Sequence, residues 1–280
     1  MTDIQPVLID LSDYEEAGAG ANGLSFNHRT DPDLMLKLYH PGKQQQALNE
    51  LIVAKKVFEA GIPSPEPGDH VTDGTRYGIR FRRIRGKKSY ARAVGEDPAR
   101  VEQYAAEFAE MCRKLHSTRL DTSRFVSVKD HYLDLLAANP FFSADDKAKL
   151  EAFIRQSPDR DTAVHGDLQF GNALFDEQGR RYFIDLGDFA YGYPIFDLGM
   201  TYLCCNLSSE DFIQEAFHMS KDTSRAFWKA FAPAYFGPDA DLEAAESEVR
   251  LYAGLTTLLV ERDTRCPMPE FRAELTPILE

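Results

Sequence analysis

The 280-residue chain is poor in cysteine, in basic charge and in long apolar runs. Its four cysteines (Cys112, Cys204, Cys205 and Cys266) form no C-x-x-C pair, which argues against a zinc site and against thioredoxin-type chemistry. Thiols so placed fit a reduced, cytoplasmic protein better than a disulfide-stapled secreted one. The longest apolar stretch, "LYAGLTTLLV" at 251–260, falls well short of the roughly 20 residues a membrane span needs and reads as a buried helix, so no membrane partner is expected. The opening "MTDIQPVLIDLSDYEEAG" is acidic and has no basic n-region, so no secretory leader is expected either. Lys and Arg number 32 against 45 Asp and Glu, a net charge of -13. That balance, with a pI of about 5.0, argues against nucleic acid as a partner. There is no internal repeat and no low-complexity tract. Hydrophobic residues make up 43% of the chain, enough for one large domain or for two lobes sharing a cleft.

The first part of the chain reads as strand-rich. "VLID", the run Leu24 to Phe26, and "LMLKLY" at 34–39 predict short strands, with "GAGANG" (Gly18 to Gly23) as a loop or tight turn between the first two. "QQQALNELIVAKKVFEAG" then carries Ala47, Leu51, Ala54 and Phe58 at helical spacing, and Gly61 is placed to end that helix. "YGIRFRRI" at 77–84 returns to strand character. Beyond Gly86 the pattern turns helical. Asp97 and Pro98 are placed as N-cap and first residue of a helix whose stripe is Val101, Tyr104, Ala105, Phe108, Cys112 and Leu115. Further helices are expected near 127–138, 143–156, 208–218, 222–235 and 240–263. A lobe boundary near 84–88 gives an N-terminal lobe over 1–84 and a C-terminal lobe over 85–280.

Inside the helical half lies a β interruption, "AVHGDLQFGNALFDEQGRRYFIDLGDF" (163–189). "NALF" and "YFID" flank a turn containing Gly179. A turn centred on Gln178–Gly179 sets Asn172 opposite Asp185, with Cβ atoms about 4.5–5.5 Å apart. An amide oxygen and a carboxylate at that separation can share a hard cation such as magnesium, which takes few carboxylates and completes its shell with water and phosphate oxygens. Asp167, on the loop entering the hairpin, suits orienting a hydroxyl and accepting its proton. Each of these residues alone is an ordinary turn former; the combination is what points to phosphoryl transfer.

"HGDLQFGN" followed by "IDLGD" resembles the aminoglycoside phosphotransferase and choline kinase-like group, related in fold to protein kinases. The resemblance implies an α+β, bilobal protein kinase-like fold, with a small β-rich N-terminal lobe that binds nucleotide and a larger helical lobe that binds the acceptor. It implies Asp167 as catalytic base and Asn172 and Asp185 as magnesium ligands. The donor is then ATP or GTP, and the acceptor a small-molecule hydroxyl. "YPIFDLG" resembles the family's late Asp, which makes Asp197 an anchor of the catalytic loop through backbone hydrogen bonds. His165 and His116 read as bracing residues. In the first lobe the family covers the phosphates with a loop, here Gly18, Gly20, Asn22 and Gly23. Lys37 reads either as a snorkelling surface lysine or as the lysine that pairs the α- and β-phosphates, and Glu50 is then its ion-pair partner.

Some features depart from the family or pull apart. Arg82 stands where many relatives carry an acidic residue, leaving ATP and GTP both open. The basic run at 76–92 is either a solvated face or a border that favours an anionic acceptor, whereas the acid-rich 207–280 favours a cationic one. Asp188 reads as a turn cap rather than a ligand of a second magnesium. A nucleotide-binding pseudokinase acting through a partner is the alternative function. A protein kinase is disfavoured, because "DFAYGYPIFDLG" leaves almost no room for an activation loop.

Overall fold

In the computed structural model, residues 4–20 and 22–280 are described; Met1–Asp3, at the head of the acidic N-terminal stretch, and Ala21, within the glycine-rich stretch, lie outside the described residues. The strands are β1 (Val7–Leu8), β2 (Tyr14–Gly20), β3 (Gly23–His28), β4 (Leu34–Tyr39), β5 (Pro67–Thr72), β6 (Tyr77–Arg82), β7 (Lys88–Ser89), β8 (Ala163–Val164), β9 (Ala173–Phe175), β10 (Arg181–Phe183) and β11 (Ala190–Tyr191). The longer helices are α1 (Gln44–Glu59), α2 (Tyr90–Glu96), α3 (Val101–Ser117), α4 (Val128–Ala138), α5 (Ala144–Gln156), α6 (Ile195–Tyr202), α7 (Glu210–Phe217), α8 (Lys221–Phe236) and α9 (Leu242–Thr264). Two compact units result: Met1–Lys88 with Leu174–Asp188, and Ser89–Ala173 with Phe189–Glu280. Among the described residues no helix is long and apolar enough to cross a membrane.

Strand alternation organises the first unit. Its six-stranded sheet runs β1-β5-β6-β4-β3-β2, antiparallel except for β1 alongside β5. Leu36 and Leu38 are buried with Ile9, Tyr14, Phe26 and Val71 on one face, and the period of two turns Lys37 to the opposite face. Helix α1 buries Ala47, Glu50, Leu51, Ala54 and Val57. The expected stripe is thus shifted at its end: Phe58 is exposed and Val57 is buried in its place. Gly61, at φ +76°, ends the helix through the left-handed conformation that glycine adopts without steric cost. Strand β5 was not expected, because Pro67, Gly68 and Asp69 read as turn residues. A register shift between Pro67 and His70 absorbs them, as bulges do.

The second unit is held by aromatic packing between helices. Phe108 of α3 meets Phe227 and Phe231 of α8 at 5.8 and 5.5 Å. The expected helices from residue 127 onward are present as α4, α5, α7, α8 and α9, and four begin at a side-chain cap: Ser143, Ser209, Ser220 and Asp241 each accept a backbone N–H of the first turn. Asp97 does not cap α3. Its side chain makes no cap bond and a 3-10 turn, Pro98–Arg100, intervenes; Asp97 instead ends α2, its N–H bonded to Ala93 O. Helix α6 gave no sequence signal because all eight of its residues are buried, which removes the amphipathic pattern. Its Gly199 lies against the α9 backbone, where an added Cβ would stand 2.6 Å from Tyr252 C.

Candidate active site

In the first unit, Lys37 is the centre. Its Nζ donates to both carboxylate oxygens of Glu50, at 2.9 and 2.8 Å, and to Asp185 Oδ1. Burial works against the ammonium, but the Asp185 and Glu50 carboxylates outweigh it and raise the Lys37 pKa above that of an ordinary lysine. The side chain therefore stays charged across the physiological range. It is not the snorkelling surface lysine that one reading allowed. Tyr39, which the sequence reading missed, donates its hydroxyl to Glu50 Oε2. Its signal was present: Tyr39 stands two residues after Lys37 and so shares its face of the strand. Asp185 has φ +58°, a left-handed conformation that costs a non-glycine residue about 1–3 kcal/mol and recurs at ligand-holding positions.

The glycine-rich stretch is less of a loop than expected. Gly18 and Gly20 belong to β2 and Gly23 opens β3, and none of the three has a positive φ. Gly23 has a packing reason of its own: a Cβ there would stand 2.1 Å from Leu38 O. Asn22 turns its side chain towards the start of α1, where Oδ1 accepts from Lys43 Nζ at 2.8 Å and Gln46 Nε2 at 3.3 Å.

The hairpin also differs in detail. Asp176 N–H donates to Arg180 O at 3.0 Å, Gly179 N–H donates to Asp176 O at 2.9 Å, and Gly179 has φ +73°. This is a three-residue turn with a left-handed glycine, not a two-residue turn centred on Gln178–Gly179. Strand β9 begins after Asn172 and β10 ends before Asp185. The direct opposition of those two residues, which the shorter turn required, therefore does not follow.

In the second unit, β8 and β11 pair antiparallel and the chain leaves β8 into the loop His165–Asn172. Asp197 of α6 accepts the backbone N–H of His165 at 2.7 Å and of Gly166 at 2.8 Å, as expected of an anchor. It also pairs with His116 Nε2 at 3.0 Å. His165 Nδ1 in turn accepts Asp167 N–H at 3.3 Å. Gly166 has φ +85°, a conformation that favours glycine, which explains the glycine before Asp167. Asn172 Nδ2 donates to Asp167 O at 3.0 Å and to Asp167 Oδ2 at 2.8 Å.

The donor chemistry fits magnesium. Asp185 supplies a carboxylate. Asn172 spends its amide hydrogens on Asp167, and its Oδ1 takes no hydrogen bond among the described residues, so a hard oxygen is available. Magnesium takes few such protein oxygens and retains water and phosphate oxygens.

Five of the eight basic residues in the run at 76–92 form local pairs. Arg76 meets Asp73 at 2.9 Å, Arg80 meets Asp69 at 3.4 Å, Arg82 meets Glu66 at 3.7 Å, Arg85 meets Asp33 at 2.7 Å and Arg92 meets Glu96 at 2.8 Å. The five charges so matched make a solvated face.

Residues 13–234 match the phosphotransferase enzyme family, and the chain belongs to that family. Among solved structures, a choline/ethanolamine kinase family protein from Mesorhizobium loti is 22% identical, with 95% of this chain and 85% of that chain covered and a TM-score of 0.50. The aminoglycoside phosphotransferase APH(3'')-Id from Streptomyces rimosus, solved with ADP and streptomycin, is 20% identical, with 88% and 92% covered and a TM-score of 0.55. A thermostable mutant of the aminoglycoside phosphotransferase APH(4)-Ia, solved with AMP-PNP and hygromycin B, is 15% identical, with 94% and 93% covered and a TM-score of 0.61. At these identities the likeness establishes the fold, the protein kinase-like α+β architecture. No curated protein matches the chain. The protein is a phosphotransferase.

Proposed function

We propose that this phosphotransferase moves the γ-phosphoryl group of ATP or GTP to a hydroxyl of a small molecule, with magnesium at the phosphates, in the cytoplasm. The observation that carries the reading is the Lys37 ammonium, held charged by Glu50 and Asp185. A lysine fixed in this way is a preset point charge for phosphate oxygens. Residues 1–84 act as the nucleotide lobe, with Gly18, Gly20, Asn22 and Gly23 covering the phosphates, and residues 85–280 as the catalytic and acceptor lobe. Asn172 and Asp185 serve as magnesium ligands. When bound, the ion neutralises charge on the phosphate oxygens. Asp167 orients the acceptor hydroxyl and takes its proton. Since the transition state asks the protein for positioning and charge neutralisation, these residues are the parts it needs.

Compounds like the streptomycin and hygromycin B found in two structural neighbours are the first to try. The test incubates the protein with γ-labelled ATP or GTP, magnesium and a panel of cationic, neutral and anionic hydroxylated compounds. Transfer of label to a cationic or neutral compound, abolished by chelation of the metal, is expected. Nucleotide binding without transfer to any compound would favour the pseudokinase reading, and label appearing in added proteins would favour a protein kinase.

A further inference from the structure

The buried hydroxyl of Thr201 has no place in the chemistry so far. Thr201 sits in α6 with no solvent exposure. A β-branched polar residue in a buried helix is a poorer choice than an apolar one unless its hydroxyl is used. The bland use would be a bond back to its own helix. That contact is long: Thr201 Oγ1 lies 3.4 Å from Asp197 O. The short bond leaves the helix, from Thr201 Oγ1 to Leu168 O at 2.7 Å. Leu168 is fully buried and immediately follows Asp167.

Asp197 and Thr201 are four residues apart, so they share one face of α6 about 6 Å apart along its axis. Asp197 holds the loop before Asp167, through the N–H groups of His165 and Gly166. Thr201 holds it just after, through the carbonyl of Leu168. The helix itself is seated firmly, since Gly199, between the two, abuts the α9 backbone. From this geometry we infer that Thr201 is a positioning residue for Asp167: with Asp197 it forms a two-point clamp that fixes the direction of the Asp167 carboxylate. The inference rests on Asp167 being the proton acceptor. Positioning of this kind matters because a misplacement near 1 Å can cost about 100-fold in rate.

The test compares Thr201→Val, which keeps the shape and removes the donor, with Thr201→Ser, which keeps the donor. Each is made in the full chain, alone and with Asp167→Asn. Phosphate release from magnesium ATP, with water as acceptor, gives kcat and KM. Amide hydrogen exchange over 165–170 reports the loop. Thr201→Val is expected to lower kcat about tenfold with KM for ATP unchanged and to speed exchange in the loop. Thr201→Ser is expected to restore both. In the Asp167→Asn background, Thr201→Val should have no further effect, as for two residues acting as one unit.

Unchanged loop exchange in Thr201→Val, an unchanged kcat, or failure of Ser to rescue would each overturn the clamp. A lower melting temperature with the kcat of the folded protein intact would reduce Thr201 to a packing residue, and would overturn it equally. If Asp167→Asn alone retains full turnover, the failure lies in the assignment of Asp167. If Asp167→Asn is impaired and Thr201→Val is not, the failure lies in the clamp alone.

Discussion

Asp167→Asn is expected to lower turnover by about 10²- to 10⁴-fold while leaving nucleotide binding and the fold intact. The substitution keeps the shape of the side chain and an oxygen able to accept from Asn172 Nδ2, which lies 2.8 Å from Asp167 Oδ2. It removes the charge that orients an acceptor hydroxyl and the site that receives its proton. None of the residues that fix the loop changes, so Asp197 still accepts from His165 and Gly166. The nucleotide residues Lys37 and Glu50 lie in the other unit and are untouched. Titration with nucleotide alongside rate measurements separates the outcomes. Turnover equal to that of the unaltered protein would remove Asp167 from the chemistry. Loss of binding in step with loss of turnover would make it a structural residue.

Asp197→Ala is expected to cost about 3–5 kcal/mol of stability, as breaking a buried hydrogen-bonded charge does. The Asp197 carboxylate is buried and takes three donors: two backbone N–H groups and His116 Nε2. Alanine leaves all of them without a partner in a fully buried segment, and each orphaned group carries a penalty of about 1–3 kcal/mol. Against a typical total of about 5–15 kcal/mol, the thermal midpoint should fall by roughly 10 °C. The phosphotransfer of whatever remains folded should fall as well, because the loop carrying Asp167 has lost its anchor. Thermal unfolding followed by circular dichroism measures the first effect. A midpoint within a degree or two of the original would show that the loop is held by other means.

The sequence pattern made much of this legible, and the reasons differ by element. Helices α5, α7, α8 and α9 fall where helices were expected, and each begins at a Ser or Asp whose side chain caps it. Lys37 and Glu50 were readable through the family resemblance: a lone cation in an apolar strand also reads as a snorkelling surface lysine, and the resemblance supplied Glu50 as its partner. Three features were not readable. Strand β5 opens on Pro67, Gly68 and Asp69, whose local preference for turns is overridden by pairing with β6. Helix α6 is buried all round, so no periodicity marks it, and the Thr201 contact it makes was hidden with it. The hairpin turn at Gly179 is one residue longer than its sequence suggested, because a left-handed glycine can close either a two- or a three-residue turn. The glycine-rich stretch is more strand than loop: Gly18 and Gly20 lie in β2 and Gly23 opens β3, and Gly23 has a further reason in the close approach of β3 to β4.

The nucleoside triphosphate site is expected to depend on magnesium and on Asp185. Calorimetric titration of ATP and of GTP, with and without magnesium, into the unaltered protein and into Asp185→Asn tests it most directly. Binding of at least one nucleotide is expected in the presence of magnesium, with its loss both on chelation and in the variant. Binding of neither nucleotide by the folded, unaltered protein would contradict it, as would binding indifferent to both magnesium and Asp185.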